Sequence, residues 1–360
     1  MDCDISTYTT FGTFYQRLLS DIRNACQHVF LQFFKFEPDA IGQQLGAALI
    51  SKARQGLDVR LLYDDFVCRR WRWYYRHLQS QGVSVAGFAP LHKPLPLPHD
   101  YFRNHRKNVS IDGAVAYTGG MNIAERYLHG LDWGCWRDTM IRLQGPESQL
   151  LQTCFLNDWN QCTSQADQGL SVHFPTSESN ISVITSNPIG RDRSHVQHTI
   201  RLLDEARCYA WFESPYFIPT KEVMHAMCNA AKRGVDVRVL QPPRGDKGEA
   251  CQWASRHHYR EAMDAGVRIG IYRAGFLHSK IIVSDDRVGV VSSCNIDHRS
   301  YRLCQEVAVA VDDPCYASQL RDIFAADEAQ SSYIDPDKWK QRPLANRIKE
   351  KLFNIISSQL

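Results

Sequence analysis

Two histidine–lysine pairs recur along the chain at one spacing. His105 and Lys107 are followed by Asp112, and His278 and Lys280 by Asp285, so His-x-Lys-x(4)-Asp is written twice. Asn122 follows His105 by 17 residues, and Asn295 follows His278 by the same 17. Four residue types repeated at identical intervals, in a chain with only 14 histidines, point to a shared cause rather than to composition. The chemistry open to such pairs is attack on a phosphodiester. One imidazole adds to phosphorus while a second, protonated imidazole gives its proton to the departing oxygen. Lys107 and Lys280 balance the charge on the non-bridging oxygens, and Asn122 and Asn295 add amide donors. For that chemistry the two sets would have to meet around one phosphorus atom. No His, Asp or Glu cluster has zinc or magnesium spacing, and an ammonium beside each imidazole would repel a cation, so no metal or other cofactor is expected.

Both motifs sit in strand-like runs, Asn108-Val109-Ser110-Ile111 and Ile281-Ile282-Val283, where residues two apart share a face. Each His then projects with its Lys. Asp112 and Asp285 fall on the opposite face and are expected to hold the motif's local structure rather than to carry protons. The repeat extends outward: residues 53–62, Ala-Arg-Gln-Gly-Leu-Asp-Val-Arg-Leu-Leu, answer 231–240, Ala-Lys-Arg-Gly-Val-Asp-Val-Arg-Val-Leu. The offset drifts from 178 there to 173 at the histidines, as expected of a duplication followed by loop changes.

Each half reads as a strand (29–36; 208–212), an amphipathic helix (41–55; 221–233) and a second strand (59–63; 235–240). Another helix and strand precede each motif strand. Ile41, Leu45, Ala48 and Leu49 form a core-facing stripe. Alternating helix and strand predicts an α/β protein: two duplicated α/β/α sandwich halves with mixed, largely parallel sheets forming a pseudo-dimer around one active site. The expected boundaries are 1–170 for the first half, 171–330 for the second and 331–360 for a basic amphipathic tail. Polar, turn-rich segments near 165–180 mark the junction. The chain should work as a monomer, since it contains its own pseudo-partner.

This arrangement resembles the phospholipase D superfamily and, within it, bacterial cardiolipin synthases. The narrower resemblance is carried by Leu61-Leu62-Tyr63-Asp64-Asp65, Tyr117-Thr118-Gly119-Gly120-Met121-Asn122-Ile123, Trp136-Arg137-Asp138-Thr139, residues 214–219 (Ser-Pro-Tyr-Phe-Ile-Pro) and Gly275-Phe276-Leu277-His278-Ser279-Lys280. It implies that Asp138 and Glu306 fix the imidazole tautomers, and that His105 is the nucleophile and His278 the acid, then the base. It further implies transfer of a phosphatidyl group from one phosphatidylglycerol to another through a covalent phosphohistidine, with release of glycerol. A phospholipase D releasing phosphatidic acid, a nuclease of the same superfamily and a catalytically dead scaffold are the alternatives. All four His and Lys and both Asn are present, which argues against the scaffold. Phe66-Val67 and Ser292 stand where the family usually has glycine, a departure that touches turns rather than reactive groups.

Composition agrees with this class. With 360 residues, 44% hydrophobic and 11% aromatic, the chain can bury a sizeable core, and a net charge of +3 argues against a nucleic-acid groove. Twelve cysteines lack CxxC pairing, which suggests reduced thiols in a cytosolic setting. No run approaches 18 apolar residues, so nothing should span a bilayer. Cardiolipin synthases commonly begin with hydrophobic segments absent here, so a naturally short type and the soluble part of a longer protein both fit. The expected place is peripheral, on an anionic membrane surface at the cytoplasmic side of the inner membrane. Three stretches could serve there. Arg69-Arg70-Trp71-Arg72-Trp73-Tyr74-Tyr75-Arg76 suits a headgroup layer, or is an ordinary helix with Trp71, Tyr74 and Tyr75 in the core. The tail places Leu344, Ile348, Leu352, Ile355 and Ile356 opposite Arg347, Lys349 and Lys351, and either lies in the interface or packs on the body. The proline-rich run 90–101 leads into His105 as an apolar lip or a structural lead-in.

Overall fold

The computed structural model describes residues 3–89, 102–163, 179–188, 192–245 and 249–355. The run 90–101, Ile356 and most of the segment near 165–180 lie outside them. Two large mixed sheets repeat one design. In the first, the strands run Asp4–Tyr8, Met140–Gln144, Val115–Gly119, Lys107–Ile111, His28–Phe33, Asp58–Asp64, Ser84–Phe88. In the second they run Ile181–Ser186, Cys304–Asp312, Val288–Ser292, Ile281–Ser284, Tyr209–Glu213, Asp236–Gln241, Arg268–Tyr272, with Ser331–Tyr333 added at the far edge. The order and direction of pairing match strand for strand, which is the duplication seen in space.

Parallel pairing is less extensive than the helix–strand alternation suggested. Within the repeated strand order of each large sheet it is confined to the strands joined by the helices Ala40–Arg54 and Lys221–Lys232 and to their next neighbours. The motif strands instead pair antiparallel with the strands that follow them, because Asp112 (φ 55°) and Asp285 (φ 54°) open tight turns too short for a crossover. Gly56 (φ 89°) and Gly234 (φ 93°) end the two corresponding helices in left-handed backbone, the conformation that glycine takes without strain.

The central strand His28–Phe33 is buried along its whole length because helices cover both faces of its sheet. One face packs against Phe11–Arg23 and Ala40–Arg54 through Phe14, Leu18, Leu45 and Leu49, and the other against Ser148–Thr163 through Phe155 and Trp159. A further core is shared by the halves. Ala116, Ile141, Leu143 and Leu151 of the first pack with Val291, Val307, Val309 and Leu320 of the second. Burying these apolar side chains together locks the two sheets against each other through their inner strands, which a site assembled from both requires.

The segment after Asp65 is helical, with Tyr74 and Tyr75 buried and Trp73 exposed beside Arg69, Arg70, Arg72 and Arg76. The core-facing reading holds for Tyr74 and Tyr75, while Trp73 is left at the surface among the arginines. The tail behaves unexpectedly. Its helix Leu344–Ile355 docks on Ala250–Asp264 by its charged side: buried Glu350 accepts from Arg342 at 2.6–3.0 Å and lies 3.5 Å from Arg256. Leu344, Ile348, Leu352 and Ile355 face solvent at 59–77% exposure. Among the described residues no helix is long and apolar enough to cross a membrane.

Candidate active site

Each motif histidine is delivered to its place by a strand exchanged with the other half. Just before His105, Arg103–Asn104 pairs in parallel with the start of Cys304–Asp312, and His105 N donates to Gln305 O at 3.0 Å. Just before His278, Gly275–Leu277 pairs in parallel with Cys135–Arg137, and His278 N donates to Arg137 O at 2.7 Å. Those partner strands carry or lead into Glu306 and Asp138. His105 Nδ1 accordingly lies 3.0 and 3.2 Å from the two Glu306 oxygens, and His278 Nδ1 lies 2.6 Å from Oδ2 of Asp138. An Nδ1–H given to a carboxylate leaves Nε2 as the reactive atom. Both rings, with Asn122 and Asn295, line a single cleft of about 190 Å³.

The carboxylates are braced in different ways. Glu306 Oε2 accepts from Ser293 Oγ at 2.5 Å, whereas Asp138 Oδ1 accepts from Thr139 N at 2.8 Å. The residue that corresponds to Ser293 is Gly120, where a Cβ would stand 2.0 Å from Asp138 Oδ1. Asp138 occupies the volume that a side chain would need.

Lys107 and Lys280 are buried behind the imidazoles rather than at the cleft surface, each donating to the carbonyl of its own motif histidine. Burial, with the neighbouring Lys280, pulls the Lys107 ammonium down to about 7. Burial and the two ammoniums press both imidazoles down to about 4, against the pull of their carboxylates. Against burial, which would raise them, His278 and Lys280 hold Asp138 below its ordinary value, and His105 and Lys107 do the same for Glu306. The protein groups by themselves thus set two ionised carboxylates against two neutral imidazoles. An incoming phosphodiester supplies the missing negative charge, and with it the reason for one imidazole to take a proton.

The expected amide donors are partly engaged. Asn122 Nδ2 donates to Tyr127 Oη at 2.6 Å while its Oδ1 accepts from Lys35 N at 3.0 Å, which leaves one Nδ2 hydrogen for a ligand. Asn295 has its side-chain hydrogen bond to Asp297. Asp112 and Asp285, grouped with the site by motif, are away from the cleft. Asp112 accepts from the backbone N–H groups of Cys26, Gln27 and His28 at 2.7–2.9 Å, and Asp285 from those of Arg207, Cys208 and Tyr209 at 2.7–2.9 Å. Each ties the motif hairpin to the start of the neighbouring strand, the structural role that strand alternation implied.

Ser292 stands in extended backbone and gives its Oγ to the turn, accepting from Cys294 N at 2.8 Å, so the missing glycine is absorbed. Phe66 is half-exposed and lies under the guanidiniums of Arg103 and Arg69.

Several residues in or beside the cleft were not anticipated. Trp136, Phe276 and Tyr127 surround His278 with ring centroids at 5.2, 5.5 and 6.2 Å, and Phe34 lies edge-on to His105 at 4.7 Å. Arg126 and Arg299 also line the cleft. The signal for these two was present: each stands four residues after its motif asparagine. Among the described residues no group of three or more His, Cys, Asp or Glu stands together as metal ligands would.

Residues 18–159 and 199–328 match the family model described as cardiolipin synthase, PLD-like domain. The major cardiolipin synthase ClsA of Bacillus subtilis is 36% identical over 352 residues, covering 95% of this chain and 72% of that protein. Cardiolipin synthase 1 of Staphylococcus epidermidis is 34% identical over 361 residues, covering 98% and 73%. In fold the chain is similar to the crystal structure of phosphatidylserine synthase from Haemophilus influenzae, with a TM-score of 0.77 at 15% identity over 99% of this chain and 95% of that one. The two motif histidines joined in one cleft, over a sequence match of this extent, place the chain in the cardiolipin synthase family of phospholipase D-like enzymes.

Proposed function

We propose that this protein moves a phosphatidyl group from one phosphatidylglycerol to the headgroup hydroxyl of a second, forming cardiolipin and glycerol. The observation that carries the reading is the single cleft holding His105 and His278, each aimed by a carboxylate from the opposite half. His105 Nε2 attacks phosphorus as the bond to the headgroup glycerol breaks, and His278 gives the leaving oxygen its proton. The acceptor hydroxyl then returns a proton to His278, its oxygen bonds to phosphorus, and the P–N bond to His105 breaks. One diester is exchanged for another, so no nucleotide is consumed. Lys107 and Lys280 hold the charge of the non-bridging oxygens throughout.

The same reading puts the protein at the surface of an anionic membrane, peripheral and on the cytoplasmic side, working as a monomer. The outward apolar stripe of Leu344–Ile355 and the exposed Trp73 among arginines support it, since an unpartnered apolar face flanked by cations suits a headgroup layer.

Incubating the protein with phosphatidylglycerol vesicles and identifying lipids by mass spectrometry tests the reaction. Cardiolipin with free glycerol is the expected product. Phosphatidic acid alone would make water the acceptor, and cleavage of DNA without lipid turnover would make the enzyme a nuclease.

A further inference from the structure

A transferase whose acceptor is itself a phosphodiester must place a second phosphate, one glycerol away from the phosphorus under attack. A hydrolase needs no such place. The charges already assigned, Lys107 and Lys280, lie behind the two imidazoles and serve the first phosphate. Arg126 and Arg299 bring further positive charge to the cleft, each four residues beyond its motif asparagine and so related by the duplication.

The strand exchange separates these two arginines in function. Arg126 precedes Tyr127, whose ring lies 4.4 Å from Trp136 and 6.2 Å from His278. The short helix that it opens, Arg126–His129, packs on Cys135–Arg137, the strand that leads into Asp138, so Arg126 is rooted on the His278 side of the cleft although it belongs to the first half. Arg299 lies in the helix His298–Arg302, accepts at its carbonyl from Leu303 N at 2.8 Å, and so leads directly into the strand Cys304–Asp312 that carries Glu306, the partner of His105. It stands on the His105 side. With His105 as nucleophile, the leaving glycerol and the acceptor hydroxyl that replaces it both lie against His278. The acceptor's own phosphate then falls near Arg126 and away from Arg299.

We infer that Arg126 binds the phosphodiester of the acceptor lipid and so selects a phosphate-bearing alcohol over a neutral one. The inference rests on the phosphatidyl-transfer reading. Arg126 is held in position by an ion pair from its Nη2 to Glu37. A planar guanidinium with five donors can keep that carboxylate and grip a phosphate as well.

Two acceptors that share one phosphohistidine provide the test. Labelled glycerol exchanges into phosphatidylglycerol by reversal of the first step and carries no phosphate, whereas phosphatidylglycerol carries one. The ratio of cardiolipin formed to glycerol exchanged is measured on vesicles of phosphatidylglycerol in phosphatidylcholine for the unaltered chain, Arg126→Gln, Arg126→Lys and Arg299→Gln. Any loss of folded protein cancels in this ratio. The expected result is a fall of roughly tenfold or more for Arg126→Gln, partial rescue in Arg126→Lys, and little change for Arg299→Gln. An unchanged ratio in Arg126→Gln, or a larger fall in Arg299→Gln, overturns the inference. An unaltered chain that exchanges glycerol yet makes no cardiolipin overturns the reading beneath it, and the two failures are told apart by the unaltered chain alone.

Discussion

His278 Nδ1 stands 2.6 Å from Asp138 Oδ2, a carboxylate 140 residues earlier in the chain and in the opposite half. His105 and Glu306 repeat the relation in the other direction, 201 residues apart. Neither half could orient its own imidazole. This reciprocity explains why one chain carries the motif twice, and it makes each carboxylate a point at which catalysis can be broken without touching a reacting atom.

Asp138→Asn and Glu306→Gln should therefore each lower cardiolipin formation by about 10²–10⁴-fold, since an amide presents its N–H or its oxygen to Nδ1 indifferently and loses the charge that stabilises an imidazolium. Steady-state rates on phosphatidylglycerol vesicles, with circular dichroism as the check on folding, measure this. Rates within a few-fold of the unaltered chain would mean that the carboxylates do not steer the rings.

The order of the two histidines can be read from a trapped intermediate. In His278→Ala, a substrate with an activated leaving group needs no proton donor, so phosphoryl label should accumulate on His105. Peptide mapping by mass spectrometry locates it. Label on His278 in the unaltered chain, with none on His105, would reverse the roles.

Anion binding should draw protons into the site. In the empty protein the imidazoles of His105 and His278 sit at about 4 and the Lys107 ammonium at about 7, all lowered first by burial. At pH 7.5 these groups are largely or partly unprotonated, and a nearby negative charge raises each of them. Proton uptake is thus the expected sign between pH 6 and 8, the share taken by Lys107 growing as pH rises through its free value while the share taken by the imidazoles falls. Sulfate, fully ionised across this range, is a suitable probe. Calorimetry in buffers of different ionisation enthalpy gives the count, and release of protons would contradict the electrostatic account.

Gly120→Ala should disable the site while leaving most of the fold intact. Its Cβ would lie 2.0 Å from Asp138 Oδ1, so the carboxylate must move away from His278. Overpacking of this kind costs roughly 1–3 kcal/mol. Activity should fall far more than thermal stability. Comparing rate with melting temperature decides it, and full activity in a folded variant would show that Asp138 has room to spare.

The tail separates attachment from stability. Replacing Leu344, Ile348, Leu352 and Ile355 by Ser removes only exposed apolar surface, so the melting temperature should hold while sedimentation with anionic vesicles is lost. Glu350→Ala does the reverse to the helix. It strips the partner from Arg342 and Arg256, at a cost of roughly 3–5 kcal/mol for a broken buried pair, and hydrogen exchange should report the helix released from the body. Undiminished vesicle binding by the fourfold Ser variant would remove the tail from the membrane contact.

Much of the molecule was legible in the amino-acid order because the signals were local and doubled. The His-x-Lys-x(4)-Asp repeats, the asparagines at a common distance and the matching Gly56 and Gly234 segments each announced a duplicated α/β unit, and strand alternation alone turned Asp112 and Asp285 away from their histidines. The share of parallel pairing was misjudged, since a turn at Asp112 or Asp285 is a matter of backbone angle that alternating apolar residues do not encode. The direction of the tail helix followed the same rule: its apolar stripe was plain, but only the burial of Glu350 between two arginines showed which side faces the protein.

What the sequence by itself determined is the set of candidate reacting groups and their duplication, because residue type and spacing survive any arrangement of the halves. What only the tertiary structure decided is which carboxylate pairs with which imidazole, that the helix of Arg126 packs on the His278 side, and that both lysines lie behind the rings. Those relations arise where short strands cross between halves and a common core of valines and leucines fixes the distance. Contacts made across more than a hundred residues depend on how two folded units pack, and no window of sequence contains that information.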